Sequence, residues 1–208
     1  MTTPMIKICG ITRVDDALCA VDEGADFIGL NFVPSSPRRV ERAQAVRIAS
    51  AVRQSGAAVR LVAVFVDESP PTVKSIAEEA GFDLIQFHGS ESPELLAGIG
   101  IDSIKVFRLA GKLPDTSAYE IASWFLFDSF HQFVPGGTGQ AFDWSVMAQA
   151  PRDKPFFLAG GLRPDNVRRA VAVIRPDGLD VASGVEDAPG VKSRDKIRQL
   201  IQAVRKGA

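Results

Sequence analysis

A regular alternation of short apolar runs and helical segments limits what this chain can fold into more than any other feature. Eight runs typical of buried strands follow one another at spacings of 20 to 34 residues. They end at Cys9, Asn31, Phe65, Phe87, Phe107, Asp128, Leu158 and Ala182. Strands that alternate with helices form a parallel sheet, because each right-handed crossover needs its own helix. Eight such units predict a single-domain (β/α)8 TIM barrel over residues 1–208, with an open doubly wound sheet as the competing architecture.

Helical periodicity and turn residues predict the segments between the strands. Proline at the first turn and glycine just past the end mark the segment 70–80. The predicted helices cover residues 13–23, 41–53, 70–80, 91–97, 144–149, 164–174 and 193–206, with a weaker helical segment within 114–122. The length would also allow two small domains, but no change of composition marks a linker between them.

Composition and charge exclude several classes of protein. Hydrophobic residues make up 46% of the chain and charged residues 24%, which is typical of a folded protein with a sizeable core. A net charge of -1 gives no reason to expect nucleic acid or an acidic membrane surface as a partner. Charged residues interrupt every apolar run before the roughly 18 residues of a transmembrane helix, and the N-terminus lacks signal-peptide features. With 2 cysteines a disulfide framework is not expected, so we predict a reducing, cytoplasmic location.

The first strand carries a lysine and a cysteine on one face. Alternate residues of a strand share a face, so Lys7 and Cys9 point together while Ile6 and Ile8 point to the other side. A buried cysteine acting as a small apolar residue is the alternative interpretation of Cys9. A neighbouring ammonium group favours the thiolate, which is the form that accepts a proton or attacks carbon. Cys9 is therefore a candidate catalytic base, with Lys7 beside it.

Asp128 ends the sixth strand, directly after the apolar residues 124–127. In a barrel, the carboxyl ends of the strands and the loops after them form the active face, where both Cys9 and Asp128 are expected to lie. Apolar surroundings favour the neutral form of a carboxyl group, which suits a general acid, and a capping aspartate is the alternative. Strands one and six are expected on opposite sides of the mouth, with these two side chains facing each other.

Glycine-bearing turns follow strands six, seven and eight. Loops after strands seven and eight are the usual phosphate site of this architecture, because backbone N–H groups and helix N-termini bind anions. One glycine pair would only mark a turn, but three such turns on one rim predict a small phosphorylated substrate. The candidate residues are Gly137, Gly139, Gly160, Gly161, Ser183 and Gly184.

Other polar residues follow strands two and four. One of Arg38 and Arg39 is expected to bind a substrate carboxylate in bidentate fashion, and the other to be solvated. His88 lies two residues after Gln86, and the chain has one other histidine, His131, without metal-ligand spacing. We therefore interpret His88 as a structural or supporting residue of the site and expect no metal.

The chain resembles the phosphoribosylanthranilate isomerase family over essentially its whole length. The most specific matches are the opening motif at residues 7–12 and the glycine-rich loop 136–139 with residues 142–144. Other matching positions are residues 24–26, 29–32, 86–89, 158–162 and 180–186, and Asp128. Ala182 departs from the family, which often carries a polar residue there; this change affects a side-chain contact to phosphate and leaves the backbone donors.

This resemblance implies a cofactor-independent Amadori rearrangement in tryptophan biosynthesis, which turns an N-ribosyl aminoaldose phosphate into an aminoketose phosphate. The family's general acid corresponds to Asp128 and opens the furanose ring, and its base corresponds to Cys9 and removes the C2 proton. The position of Arg38 corresponds to the arginine that holds the anthranilate carboxylate. Further predicted substrate-binding residues are Lys7, Gln86 and His88.

Two alternatives stay open. The related isomerase of histidine biosynthesis has similar chemistry but uses two aspartates, and a cysteine after strand one argues against it. A non-catalytic barrel that only binds a phosphorylated ligand would also fit the fold and the glycine turns. Monomer and homodimer are both compatible with the sequence.

Overall fold

The computed structural model describes residues 3–109, 112–128, 147, 150 and 152–206. Eight parallel strands close into a barrel in chain order. The strands are β1 Met5–Cys9, β2 Phe27–Asn31, β3 Arg60–Phe65, β4 Leu84–Phe87, β5 Ser103–Arg108, β6 Trp124–Asp128, β7 Phe156–Ala159 and β8 Gly178–Val181. The helices are α1 Val14–Glu23, α2 Arg42–Gln54, α3 Pro70–Ala80, α4 Pro93–Ile99, α5 Val167–Ile174 and α6 Arg194–Arg205. Short 3-10 helices cover Ser117–Tyr119 and Ser183–Val185, and an antiparallel hairpin follows with β9 Glu186–Ala188 and β10 Val191–Lys192.

The predicted fold class is confirmed, and the open sheet is excluded because β1 pairs with both β2 and β8. Five of the eight predicted strand ends match, and β5, β7 and β8 end one residue away, so the apolar runs located the rim of the barrel. The hairpin of β9 and β10 was not predicted. The predicted helix at 144–149 lies outside the described residues. None of the helices in the described part of the chain has the length and apolar character needed to cross a membrane.

Helix α4 begins two residues later than predicted because the residues before it have other roles. The Ser92 hydroxyl is the N-cap and accepts a hydrogen bond from the backbone N–H of Leu95. The Glu91 side chain is buried and accepts hydrogen bonds from backbone N–H groups in the loops after β3 and β4. Helix α3, in contrast, has its predicted bounds, because prolines occupy its first turn and Gly81 ends it in the left-handed conformation.

Two apolar layers lie on the two sides of the sheet. The barrel interior is filled by alternate residues of the strands: Phe27, Val62, Leu84, Ile104, Val106, Leu126, Phe157 and Ala159. The outer layer, between barrel and helices, contains Ile6 and Ile8. Because side chains alternate along a strand, Lys7 and Cys9 share one face, as predicted, and the structure shows that this face is the interior.

The register of the sheet brings the two predicted catalytic residues to the same end of the interior. Cys9 pairs with Gly29, and Asp128 pairs with Arg108 and with the interior residue Ala159. Side chains in register share a face, so Asp128 also points inward. The prediction that strands one and six are opposite is wrong, since only β7 and β8 separate β6 from β1, and β5 is the strand diametrically across.

Candidate active site

The thiol of Cys9 lies beside a buried ion pair. Lys7 is 0% exposed, and its Nζ lies 2.8 Å from Oδ1 of Asp180, its register partner on β8. Cys9 is 8% exposed, and its thiol interacts electrostatically with the same ammonium group. A buried ammonium is costly without partners. Lys7 is therefore held between one carboxylate and one thiol.

Burial outweighs the lysine in setting the ionisation of this thiol. Burial raises the pKa of Cys9 and the Asp180 charge raises it further, while Lys7 lowers it by less, so the pKa lies above the ordinary thiol value. Burial would also lower the pKa of Lys7, but Asp180 and Cys9 together raise it, so Lys7 stays charged. The expected thiolate-favouring effect of Lys7 is present but too small to prevail. The thiol is neutral near pH 7, and its thiolate fraction grows as pH rises.

Gly29 makes room for this cluster. A Cβ at position 29 would lie 2.9 Å from Sγ of Cys9 and 3.0 Å from Nζ of Lys7. Both distances are shorter than an optimal contact between non-bonded heavy atoms, about 3.5–4.0 Å. The missing side chain at position 29 is therefore what allows the thiol and the ammonium to meet.

Gly29→Ala is expected to lower the free energy of unfolding by about 1–3 kcal/mol, because the added methyl group overpacks the interior. It should also lower kcat/KM, since the thiol must move. Urea unfolding and an activity assay measure the two effects. Gly98→Ala in α4, where a Cβ would meet nothing within 4 Å, is the matched control and should be neutral or stabilising. Equal stability of the two variants would contradict the crowding argument.

Asp128 lies next to His88 at the mouth of the barrel. Nε2 of His88 is 3.6 Å from Oδ2 of Asp128, and the two side chains are 24% and 18% exposed. A cavity of about 450 Å³ is lined by His88, Arg108 and Tyr119, but neither Asp128 nor Cys9 lines it. The structure thus brings the predicted supporting histidine to the predicted acid, and this cavity lies to one side of the pair.

A buried ion pair holds the loop that carries His88. Nζ of Lys105 lies 2.8 Å from Oε2 of Glu91 and 2.8 Å from the carbonyl oxygen of Gly89. The carboxylate of Glu91 also accepts a hydrogen bond from the backbone N–H of Asp67 at 2.9 Å. The loops after β3 and β4 are therefore fixed to β5 by one ammonium and one carboxylate.

Gln86 carries an unpaired oxygen inside the barrel. The side chain is 1% exposed, and its register partners are Val64 on β3 and Ile104 on β5. Its Oε1 has no hydrogen-bond partner among the described residues. A buried polar atom left unpaired costs about 1–3 kcal/mol, so this oxygen is an acceptor that a ligand donor would satisfy.

Arg38 is held by Glu186 in a bidentate pair. Nε and Nη2 of Arg38 donate to the two carboxylate oxygens at 2.8 and 2.7 Å. The stem of Arg38 crosses Gly10, where a Cβ would lie 2.5 Å from its Cδ and where φ is 73°. Arg39 is exposed and pairs with Glu41 at 3.1 Å. Of the two candidate arginines, Arg38 is the one that lies beside the end of β1.

Two glycine-bearing loops meet after β7 and β8. Gly160 and Gly161 have φ of 97° and 65°, in the left-handed region that favours glycine. A Cβ at Gly184 would collide with the carbonyl oxygen of Leu162, so the two loops touch through their backbones. Ser183 is exposed at the start of its 3-10 helix. The candidate residues outside the described part of the chain are Gly137 and Gly139.

Three charged residues of this site had no predicted role: Asp180, Glu186 and Lys192. Their partners are distant in sequence, by 173 residues for Asp180 with Lys7 and by 148 for Glu186 with Arg38. The one local signal was the inward-facing position of Asp180 on a strand. Among the described residues, no group of three or more His, Cys, Asp or Glu side chains could hold a metal ion.

Comparison with known proteins agrees with the fold and the motifs. The profile of a family described as N-(5'-phosphoribosyl)anthranilate (PRA) isomerase matches residues 6–203. The N-(5'-phosphoribosyl)anthranilate isomerase of Pseudomonas fluorescens is 46% identical over 203 residues, covering 96% of this chain and 95% of that protein. A phosphoribosyl anthranilate isomerase solved with reduced 1-(o-carboxyphenylamino)-1-deoxyribulose 5-phosphate matches with a TM-score of 0.81 at 34% identity, over 98% of this chain and 99% of that one. Monomers generated from the dimeric enzyme of Thermotoga maritima match with a TM-score of 0.81 at 33% identity, over 98% and 99% of the two chains.

The matched region contains all the described side chains of the candidate site, from Lys7 to Lys192. The chain therefore belongs to the N-(5'-phosphoribosyl)anthranilate isomerase family.

Proposed function

We propose that this chain isomerises N-(5'-phosphoribosyl)anthranilate to 1-(o-carboxyphenylamino)-1-deoxyribulose 5-phosphate in tryptophan biosynthesis, without a cofactor. Cys9 is the general base and Asp128 the general acid. The observation that carries this proposal is that both residues end strands of one barrel and face its interior at the same rim. A thiol and a carboxyl group in that position are the two proton-handling groups that an aldose–ketose rearrangement needs.

The chemistry consists of proton transfers. Asp128 donates a proton to the furanose ring oxygen, and the bond between that oxygen and C1 breaks to give a Schiff base. The adjacent iminium acidifies the C2 proton, so that the thiolate of Cys9 can remove it. The electrons of the C2–H bond form the C1–C2 double bond of an enolamine. This enolamine gains a proton at C1 and loses the C2 hydroxyl proton, which gives the ketone.

The phosphate end of the substrate fits the loops that meet after β7 and β8. Their backbone N–H groups and the exposed hydroxyl of Ser183 are suitable donors for an anion. The residues that we assign to phosphate binding are Gly137, Gly139, Gly160, Gly161, Ser183 and Gly184. Fixing this end would hold the sugar carbons over the mouth of the barrel.

The carboxylate end fits Arg38. Glu186 occupies the Nε and Nη2 edge of the guanidinium, and Nη1 has no protein partner among the described residues. An arginine presents two edges with paired donors, so the second edge remains for a substrate carboxylate. Gln86 offers its unpaired Oε1 to a hydroxyl or amino group of the substrate, and His88 lies beside Asp128.

The buried position of Lys7 favours an indirect role. Its ammonium is inaccessible, donates a hydrogen bond to Asp180 and interacts electrostatically with Cys9, so it does not offer a surface to the substrate. We assign it to the thiolate, whose negative charge it stabilises when the base forms. This replaces direct substrate binding as the role of Lys7.

We also propose one domain over residues 1–208, a small phosphorylated molecule as the partner, a cytoplasmic location, and a monomer or homodimer. The large apolar side chains that are exposed in the described part of the chain are Met5, Ile121 and Val173. Sedimentation equilibrium distinguishes monomer from homodimer.

The direct test uses the fluorescence of the substrate. Phosphoribosylanthranilate generated in place should lose its fluorescence when the purified protein is added, and the product should appear in equal amount. A protein that binds the substrate but leaves its fluorescence unchanged over time would be a binding barrel instead. Turnover of the histidine-pathway aminoaldose without turnover of phosphoribosylanthranilate would favour the related isomerase.

A further inference from the structure

A second buried lysine lies behind the thiol. Lys192 is in β10, and its side chain is 1% exposed. Its Nζ donates to the carbonyl oxygens of Cys9 at 2.6 Å and Ala182 at 3.0 Å, and to Oε1 of Glu186 at 2.8 Å. A charged ammonium has three N–H donors, and all three are used here. Burial lowers the pKa of Lys192, while the hydrogen bond and charge of Glu186 act in the opposite direction. One cation therefore ties together the ends of β1 and β8 and the hairpin after β8.

Glu186 extends this connection to Arg38. Its Oε1 accepts from both Lys192 and Nε of Arg38, and its Oε2 accepts from Nη2 of Arg38. Burial would raise the pKa of Glu186, but hydrogen bonds from Arg38 and Lys192 outweigh it and hold the pKa below the ordinary value. The carboxylate is therefore charged. Through Lys192 on one side and its own contacts on the other, it connects the backbone of Cys9 to the guanidinium group of Arg38.

Four charged groups act on the Cys9 thiol from the elements packed around it. Lys7 comes from β1, Asp180 from β8, Lys192 from β10, and Arg38 from the loop after β2. Asp180 disfavours the thiolate, while Lys7 and, to a smaller extent, Lys192 favour it. The ammonium that holds the carbonyl of Cys9 itself is that of Lys192. Its charge lies where it stabilises a thiolate on the same residue.

We propose that Lys192 is a positioning residue of this enzyme. It fixes the backbone of Cys9 and, through Glu186, the guanidinium group of Arg38. The thiol and the guanidinium group are thereby held at a distance from each other that allows both to contact one substrate molecule. It also places a positive charge behind the thiolate. The inference rests on the proposed function and deepens the description of that same site.

The test measures the ionisation of the thiol in the free protein. In a Cys19→Ser and Tyr119→Phe background, which removes the other thiol and the one tyrosine of the chain, the ultraviolet absorbance of the thiolate reports Cys9 as pH is raised. Lys192→Met, with or without Glu186→Gln, should raise the pKa of the thiol and leave a smaller thiolate fraction at a given pH below that pKa. Lys196→Met should leave it unchanged, although Lys196 also contacts Glu186, through its backbone oxygen at 2.6 Å.

The single variant Glu186→Gln separates the two parts of the role. The thiol pKa should not rise, because Lys192 remains, while KM should rise about tenfold because Arg38 loses its charged hydrogen-bond partner. A purely structural Lys192 would not give this division between thiol pKa and KM. An unchanged KM in Glu186→Gln would overturn the link to Arg38.

The double variant Lys192→Met with Glu186→Gln is the control for loss of folding. Lys192→Met alone leaves the Glu186 carboxylate buried without its lysine and should be the least stable protein, whereas the double variant removes both charges. A folded double variant with an unchanged thiol pKa would overturn the proposal, and so would a double variant that does not fold, because Lys192 would then be a structural residue. The thiol measurement needs no substrate, so an inactive parent with the expected pKa changes would refute the proposed function alone.

Discussion

Cys9→Ser is expected to lower kcat/KM by about 10²–10⁴-fold, the usual contribution of a general base. A serine hydroxyl has nearly the size of the thiol but ionises far less readily, so C2 deprotonation loses its base. The backbone should stay in place, because Lys192 holds the carbonyl oxygen of residue 9 and not its side chain. Affinity for reduced 1-(o-carboxyphenylamino)-1-deoxyribulose 5-phosphate, measured by calorimetry, should change little while turnover collapses.

Cys19→Ser is the matched control for this change. Cys19 lies in α1, is partly buried and packs against the outer apolar layer, away from the interior of the barrel. Burial raises the pKa of this thiol as well, so both cysteines have a pKa above the ordinary thiol value. They differ in position, since Cys9 faces the barrel interior and Cys19 does not, and Cys19→Ser should therefore keep its activity. Comparable turnover in both variants would remove Cys9 from the mechanism and favour a binding barrel.

Cys9→Ser should also change how the free energy of unfolding depends on pH. The pKa of Cys9 is raised in the folded chain, so the unfolded chain releases its thiol proton at the lower pH. The stabilisation from the buried neutral thiol is therefore complete below the unfolded thiol pKa, about 8.5, and is lost as pH rises toward the folded value. Urea unfolding from neutral to alkaline pH should show a smaller loss of stability in Cys9→Ser than in the parent.

The sequence predicted the barrel well because its evidence is local. Each strand is an apolar run that fills both sides of a sheet, and each run can be read without its neighbours. Alternation along the first strand sufficed to place Lys7 and Cys9 on one face and Ile6 and Ile8 on the other, and the structure identifies the second face as the outer one. The strands follow chain order around the closed ring, as in the predicted architecture, so strand six lies three strands from strand one and closer to it than the predicted opposite position.

The sequence predicted which residues form the candidate site but not the contacts between them. Strand ends and glycine turns pointed to Cys9, Asp128 and the two loops after β7 and β8. The ionisation of Cys9 could not be predicted, because it depends on burial and on Asp180, which lies 171 positions later in the chain. The role of Lys192 could not be predicted either, since the hairpin that carries it gave no recognisable pattern and its contact to Cys9 spans 183 residues.

Asp128→Asn is expected to lower kcat/KM by about 10²–10⁴-fold, because an amide has no acidic proton for the ring oxygen. Asparagine keeps the size of aspartate and its place at the end of β6, so the barrel should remain folded. Asp102→Asn is the matched control. Asp102 is exposed before β5, at the other end of the barrel, where its Oδ1 accepts a hydrogen bond from Ser123. That variant should keep its activity, measured with the same fluorescence assay.

The kinetic isotope effect of deuterium at C2 of the substrate distinguishes the role of Asp128 as acid from that of Cys9 as base. In Asp128→Asn, ring opening becomes the slow step, and since no bond to C2 hydrogen breaks in it, the isotope effect on kcat should fall toward unity. In Cys9→Ser the C2–H bond breaks in the slow step, and the isotope effect should be large. A large isotope effect in Asp128→Asn would mean that ring opening does not depend on this carboxyl group, and the acid would have to be sought elsewhere at the mouth, starting with His88 at 3.6 Å.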